Sequence, residues 1–311
     1  MKQFFQNGLL FCFIGIFVVF PIVYIIELLA FPEFQLLKEA LENEKSIILF
    51  GSSVNEHYAI DDKDKRSISE LLDAFLPGHN VVGISHGAYQ SDIYLEFVKY
   101  IARSGKKPII IVPINLRYFS PEWDLRPEYQ FNKEKNLLNG YPFIVNLKSR
   151  EINESEFNNS PIYNGNEYVG KVLDFRYIPN KAKDRISEMS KGFVFHYMQP
   201  LKANHQKLKS LFKICEIGNE NDLKIIMYIT PIDYTYAEKL GIKKFRQQQH
   251  DNIYIIKSTL TSCETVLIDL SMTLNSSYFD HGNRPGEHLN IRGRLRVARA
   301  LKTAINKTIS P

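Results

Sequence analysis

The chain is poor in cysteine, with three in 311 residues and no Cys-x-x-Cys pair, which excludes a zinc ribbon or a thioredoxin-type dithiol. It has no His-Glu-x-x-His, no Gly-x4-Gly-Lys and no Gly-x-Gly-x-x-Gly, so zinc peptidase, P-loop and dinucleotide-binding readings lose their motifs. Asp61-Asp62-Lys63-Asp64 lacks the glycine and distal glutamate of a calcium loop and reads as a solvated turn. No metal or organic cofactor is implied. Blocks of like charge are also missing. The net charge of +5 comes from 39 basic and 34 acidic residues in mixed order, too mild a balance to suggest a nucleic-acid partner. Internal repeats and low-complexity tracts are absent.

Charge is missing altogether from Leu9 to Ile26, LLFCFIGIFVVFPIVYII. About 20 apolar helical residues span the ~30 Å hydrocarbon core of a bilayer. A cleaved signal peptide has a shorter apolar region, ~7–15 residues, followed by a small-x-small site. This run is longer, and near its end only Ala30 is small, so residues 1–31 read as an uncleaved transmembrane anchor, with residues 9–30 in lipid. Lys2 before it places the N-terminus in the cytoplasm by the positive-inside rule and the rest of the chain in a periplasm or outside the cell. Cys12 falls in the anchor. Cys215 and Cys263 are left to form one disulfide or to remain two buried thiols.

Residues 32–45 read as a juxtamembrane amphipathic helix and linker. Short apolar runs then alternate with helical spacing. Strands are expected at Ile47–Phe50, Asn80–Ile84, Lys107–Ile114, Leu223–Ile229 and Val266–Leu270. Helices are expected at Ser67–Phe75, Ser91–Ala102, Met198–Glu220, Ile242–Ser258 and Ile291–Ile305. This alternation predicts an α/β fold, a flavodoxin-like three-layer sandwich with a parallel sheet of about five strands, over residues 46–311. An aromatic-rich stretch at about 116–192 interrupts it and reads as an insertion over the sheet edge.

A parallel sheet brings the loops after its strands to one edge. Gly51-Ser52-Ser53 follows the first strand, Gly87 the second and Asn115 the third, and His288 follows the fifth. A serine can attack a carbonyl while a histidine takes and returns its proton. A glycine N–H and an asparagine amide can hold the resulting oxyanion, each such donor contributing about 3 kcal/mol. The bland alternatives are Ser53 as a helix cap, Gly87 as a turn with positive φ, Asn115 as a turn former and His288 as a partly buried hydrogen-bonded histidine.

The order FGSS, ISHGAY, VPINLR and GEHLNIRGR resembles the four blocks of the SGNH/GDSL hydrolase superfamily. The resemblance covers about Ser46–Ala304 apart from the aromatic stretch. It implies Ser53 as nucleophile, His288 as base and acid, and Gly87 and Asn115 as the oxyanion hole. The chain departs from the family pattern in carrying Ser52 where the family has aspartate, and Pro285 where the triad acid belongs. Asp280, looped back through Gly282 and Pro285, is the expected substitute, with Glu287 as runner-up. Arg117 and Trp123 are candidates for contacting a sugar. The resemblance implies a membrane-anchored acyl esterase or O-acyltransferase acting on surface glycans or another acylated small molecule, beside a polytopic membrane acyltransferase. The alternatives are a catalytically inactive binding or assembly protein of the same shape and, with less behind it, a flavodoxin-like nucleotide binder.

Overall fold

The computed structural model describes residues 19–120, 130–141, 190, 193–194, 196–280 and 286–309. Its centre is a five-stranded parallel sheet of β1 (Ser46–Gly51), β2 (Asn80–Ser85), β3 (Ile109–Ile114), β4 (Ile225–Ile229) and β5 (Val266–Asp269), in the order β2-β1-β3-β4-β5. β1 lies near the middle, between β2 and β3, which explains why Ile47, Ile48, Leu49 and Phe50 are all fully buried.

Alternate side chains leave the sheet on opposite faces. Ile48, Phe50, Ile110, Val112, Met227 and Ile229 join one core, covered by α2 (Pro32–Glu42), α5 (Ser91–Ser104), α7 (Gln206–Glu220) and α9 (Phe245–Leu260). Ile47, Leu49, Ile111, Ile226 and Tyr228 join the other, under α4 (Ile68–Phe75) and α10 (Ile291–Ile309). The α/β three-layer arrangement read from the alternation of strands and helices is the one observed.

Element boundaries follow local chemistry. α4 starts at a capping box, in which Glu70 N donates to Ser67 Oγ at 3.2 Å and Ser67 N to Glu70 Oε2 at 2.7 Å. α5 ends where Gly105 takes φ +69°. The expected helix from Met198 begins only at Gln206, because Pro200 interrupts it and His205 Nδ1 accepts from Lys207 N at 3.2 Å as the cap. Among the helices not foreseen is α8 (Tyr234–Lys239), capped by Asp233.

The described parts of the aromatic stretch are a 3-10 turn at Leu116–Phe119 and α6 (Asn132–Leu138). Phe119, Phe131, Leu137 and Leu138 enter the core under α5 and α7. Cys215 of α7 and Cys263, just after α9, form a disulfide with Cα atoms 5.8 Å apart.

Among the described residues no helix is long and apolar enough to cross a membrane. The expected anchor lies largely outside them. Its carboxyl end is α1 (Phe20–Leu29), ten residues with Ile22, Ile25, Ile26 and Leu29 exposed. α1 is fastened to the domain, since Tyr24 Oη donates to Leu137 O at 3.0 Å and Gln35 Nε2 to Leu28 O at 2.9 Å.

Candidate active site

β1 ends at Gly51, which pairs with Ser85 of β2. A Cβ on Gly51 would collide with Ser85 Oγ and Asn55 Cβ, so the turn out of the sheet requires glycine. The chain passes at once into α3 (Ser53–Glu56), a single turn. Ser52, not Ser53, is its cap, accepting from Val54 N at 3.4 Å. That leaves the Ser53 hydroxyl outside the capping bonds, with Oγ 3.2 Å from Nε2 of His288. The two residues are 235 positions apart in sequence. A serine within hydrogen-bond reach of an imidazole, at the carboxyl edge of a parallel sheet, is the geometry of an activated nucleophile.

Asn55 holds this turn from below and was not singled out in the sequence. It is buried, its Nδ2 donates to Ser85 Oγ at 2.7 Å, and its Oδ1 accepts from Ser69 N at 3.1 Å. Tyr118 reaches the turn from the loop after β3 and hydrogen-bonds Ser52; burial, with the charge of Glu287 adding to it, pushes its hydroxyl pKa up, so it stays a phenol.

His288 is 8% exposed and sits beside a short antiparallel bridge between Phe279 and Leu289. Asp280 N donates to His288 O at 2.8 Å, which fastens the two backbones together. The first turn of α10 follows, with Asn290 Oδ1 accepting from Arg292 N and Gly293 N at 3.0 and 3.2 Å. One turn in, Arg294 is 0% exposed. Its Nη1 donates to His57 O at 3.2 Å, Leu289 O at 3.0 Å and Asp62 Oδ2 at 2.9 Å; its Nε donates to Arg66 O at 2.9 Å and its Nη2 to Asp64 O at 2.7 Å. The loop after Ser53 and the loop carrying His288 are thus bound by one buried guanidinium.

The expected acids are placed differently from the sequence reading. Asp280 lies beside His288 through its backbone, but its carboxylate Oδ2 is 2.7 Å from Nε2 of His57. The His57 ring is stacked on the His288 ring, with centroids 4.2 Å apart and planes 17° apart. His57 escaped the sequence analysis; its one signal was its position four residues after Ser53, one helical turn on, where His57 N donates to Ser53 O at 2.8 Å.

Glu287, the runner-up, is 5% exposed and turned to the other side. Arg117 Nη1 donates to its Oε1 at 2.7 Å and Asn115 Nδ2 to its Oε2 at 2.6 Å, with Tyr197 Oη 3.5 Å away. Burial opposes its ionisation, but the positive charges of Arg117 and His288 and the hydrogen bonds from Asn115 and Arg117 outweigh that and hold its pKa below the ordinary value. Arg117, expected to meet substrate, is therefore the ion-pair partner of Glu287. Asn115, expected in the oxyanion hole, gives one amide hydrogen to Glu287 and accepts from Arg117 N at 3.0 Å.

Gly87 stands exposed two residues beyond Ser85, on the same edge as Ser53. Positive φ in this loop belongs to Ala88, at +70°, and not to Gly87. Trp123 lies outside the described residues.

No protein-family model matches the chain, and no curated protein matches it. Solved structures do. A lipase/acylhydrolase from Enterococcus faecalis is 11% identical, with 86% of this chain and 98% of that one covered at a TM-score of 0.43. A catalytic mutant of an acetylxylan esterase from Geobacillus stearothermophilus is 12% identical, with 84% and 94% covered at 0.41. A putative acylhydrolase from Bacteroides fragilis is 13% identical, with 89% and 95% covered at 0.43. Among the solved structures to which this chain is similar are thus GDSL-like lipases, acylhydrolases and acetylxylan esterases.

Proposed function

We propose that the chain is an SGNH-like serine acyl esterase or O-acyltransferase working through an acyl-serine intermediate. The observation that carries this reading is the 3.2 Å approach of Ser53 Oγ to His288 Nε2, with the capping role left to Ser52. His288 removes the Ser53 proton as Oγ bonds to the ester carbonyl carbon, then gives that proton to the departing alcohol. Water or a second hydroxyl, deprotonated in turn by His288, frees the enzyme. Gly87 N–H and the second amide hydrogen of Asn115 are the oxyanion donors in this reading.

The substrate class proposed is an acyl ester on a cell-surface glycan or another acylated small molecule, with a polytopic membrane acyltransferase as partner. Anchoring by residues 9–30, with the N-terminus cytoplasmic and the catalytic domain outside, is part of the same proposal. The exposed Ile22, Ile25 and Ile26 of α1 support it, because they belong to the uncharged run of residues 9–26. So does the Cys215–Cys263 disulfide, a bond that persists in oxidising compartments.

A second reading, an inactive binding or assembly protein, is favoured by one observation: Asn115 and Glu287 are engaged with each other. Hydrolysis of a p-nitrophenyl acyl ester separates the two. The enzyme reading predicts turnover by the full chain that is lost in Ser53→Ala at unchanged thermal stability. No turnover by folded wild-type protein, with any acyl chain or added glycan acceptor, supports the binding protein.

A further inference from the structure

We propose that His57 and Asp280 together replace the missing triad acid, with Asp280 acting on His288 through the stacked ring of His57. This rests on the acyl-transfer reading for its purpose, but its structural basis is separate.

Three contacts define the arrangement. His57 lies face to face with His288 at 4.2 Å. Its Nε2 is 2.7 Å from the Asp280 carboxylate. Its carbonyl and that of Leu289, the residue after His288, are held by the same Arg294. A carboxylate only accepts, so the proton on this bond is on His57 Nε2. The His57 ring, held at that edge by Asp280, presents a π face to its neighbour.

The consequence appears when His288 takes the proton from Ser53. The O–H bond of Ser53 breaks, an N–H bond forms on His288, and a positive ring lies over the electron-rich face of His57. The carboxylate of Asp280 is bonded at the edge of the His57 ring, on Nε2. In the usual triad the acid both orients the histidine and stabilises its cation. Here the two tasks are divided: the stacked ring fixes orientation, and Asp280 supplies negative charge at the edge of that ring. His57 and Asp280 are positioning residues.

Among the described residues, other charged groups also face this pair. Glu287, paired with Arg117, approaches His288 from the loops after β3 and before α10. Arg294, paired with Asp62, lies behind His57. Ser53 faces His288 from α3. Glu287 and Arg117 oppose each other, as do Arg294 and Asp62, and Asp280 is the carboxylate bonded to His57.

The test is a pH titration of His288 by NMR in the full-length chain, carbon-13-labelled at histidine Cε1, with the signal assigned by its loss in His288→Gln. Asp280→Asn is expected to lower the pKa of His288 by about one unit, the low end of what loss of a nearby opposite charge produces. His57→Phe keeps a stacked ring but severs the link, and should lower it similarly. An unchanged His288 in Asp280→Asn overturns the proposal. So does a shift in Asp280→Asn with none in His57→Phe, because Asp280 would then act directly. Both substitutions are close in shape, and thermal melts check that each variant is folded. The titration needs no turnover, so its outcome is separate from whether Ser53 reacts with an ester.

Discussion

Arg294 and Asp62 form an ion pair at 2.9 Å whose side chains are 0% and 7% exposed. Its worth lies in what the guanidinium does besides pairing: it ties the His57 loop to the His288 loop. Removing one partner of a buried pair leaves the other charge uncompensated, at a cost of ~3–5 kcal/mol. Arg294→Met is therefore expected to lower unfolding free energy by about that amount in urea. Arg294→Lys, which keeps the charge but not the forked donors, should fold and still lose most Ser53 reactivity.

The disulfide gives a second prediction. Cys215 and Cys263 lie 48 positions apart and join α7 to the end of α9, far in sequence from Ser53. Closing a loop of that length stabilises by roughly 2–4 kcal/mol, chiefly through the unfolded chain. Cys215→Ala should lose stability in that range in denaturant melts, with ester hydrolysis at low temperature unchanged.

Glu287 predicts a pH dependence of stability. Its folded pKa lies below its unfolded value, so its contribution is present above the unfolded value and is lost as pH falls through the folded one. Wild-type stability should therefore drop on acidification below about pH 4.5, the ordinary glutamate value. Glu287→Gln leaves Arg117 without its counter-charge and should cost ~3 kcal/mol at neutral pH. The difference between wild type and variant should shrink as the pH falls through this window. A constant difference would show that the charge of Glu287 is not what holds Asn115 and Arg117.

Gly51→Ala tests the turn that presents the nucleophile. The added methyl meets Ser85 and Asn55 beneath Ser53. Overpacking of this kind costs ~1–3 kcal/mol. The variant should melt earlier and also react more slowly, because relief moves α3 away from His288.

Much of the architecture is readable in the chain because buried parallel strands advertise themselves. SIILF and PIIIVPI are unbroken apolar runs, and their alternate residues fill two separate cores. The approach of Ser53 to His288 follows from a rule about strand ends that needs only the strand assignments. The destinations of the carboxylates do not follow from any such rule. Asp280 and Glu287 both flank His288 in sequence, yet one is bonded to His57 and the other to Arg117. His57 resembles any isolated histidine until α3 turns it over His288. Asn55 looks like an ordinary loop residue until Ser85 and Ser69 close on it. These choices are made by packing between segments that lie from 14 to 223 positions apart, where spacing along the chain carries no information.

The central claim is that Ser53 is an activated nucleophile. The most direct measurement is intact mass of the full chain after exposure to a fluorophosphonate, with Ser53→Ala and His288→Ala as controls. The account predicts one adduct on wild-type protein, mapped to Ser53 and absent from both variants. Folded wild-type protein that gains no mass, or an adduct that persists in Ser53→Ala, would contradict it.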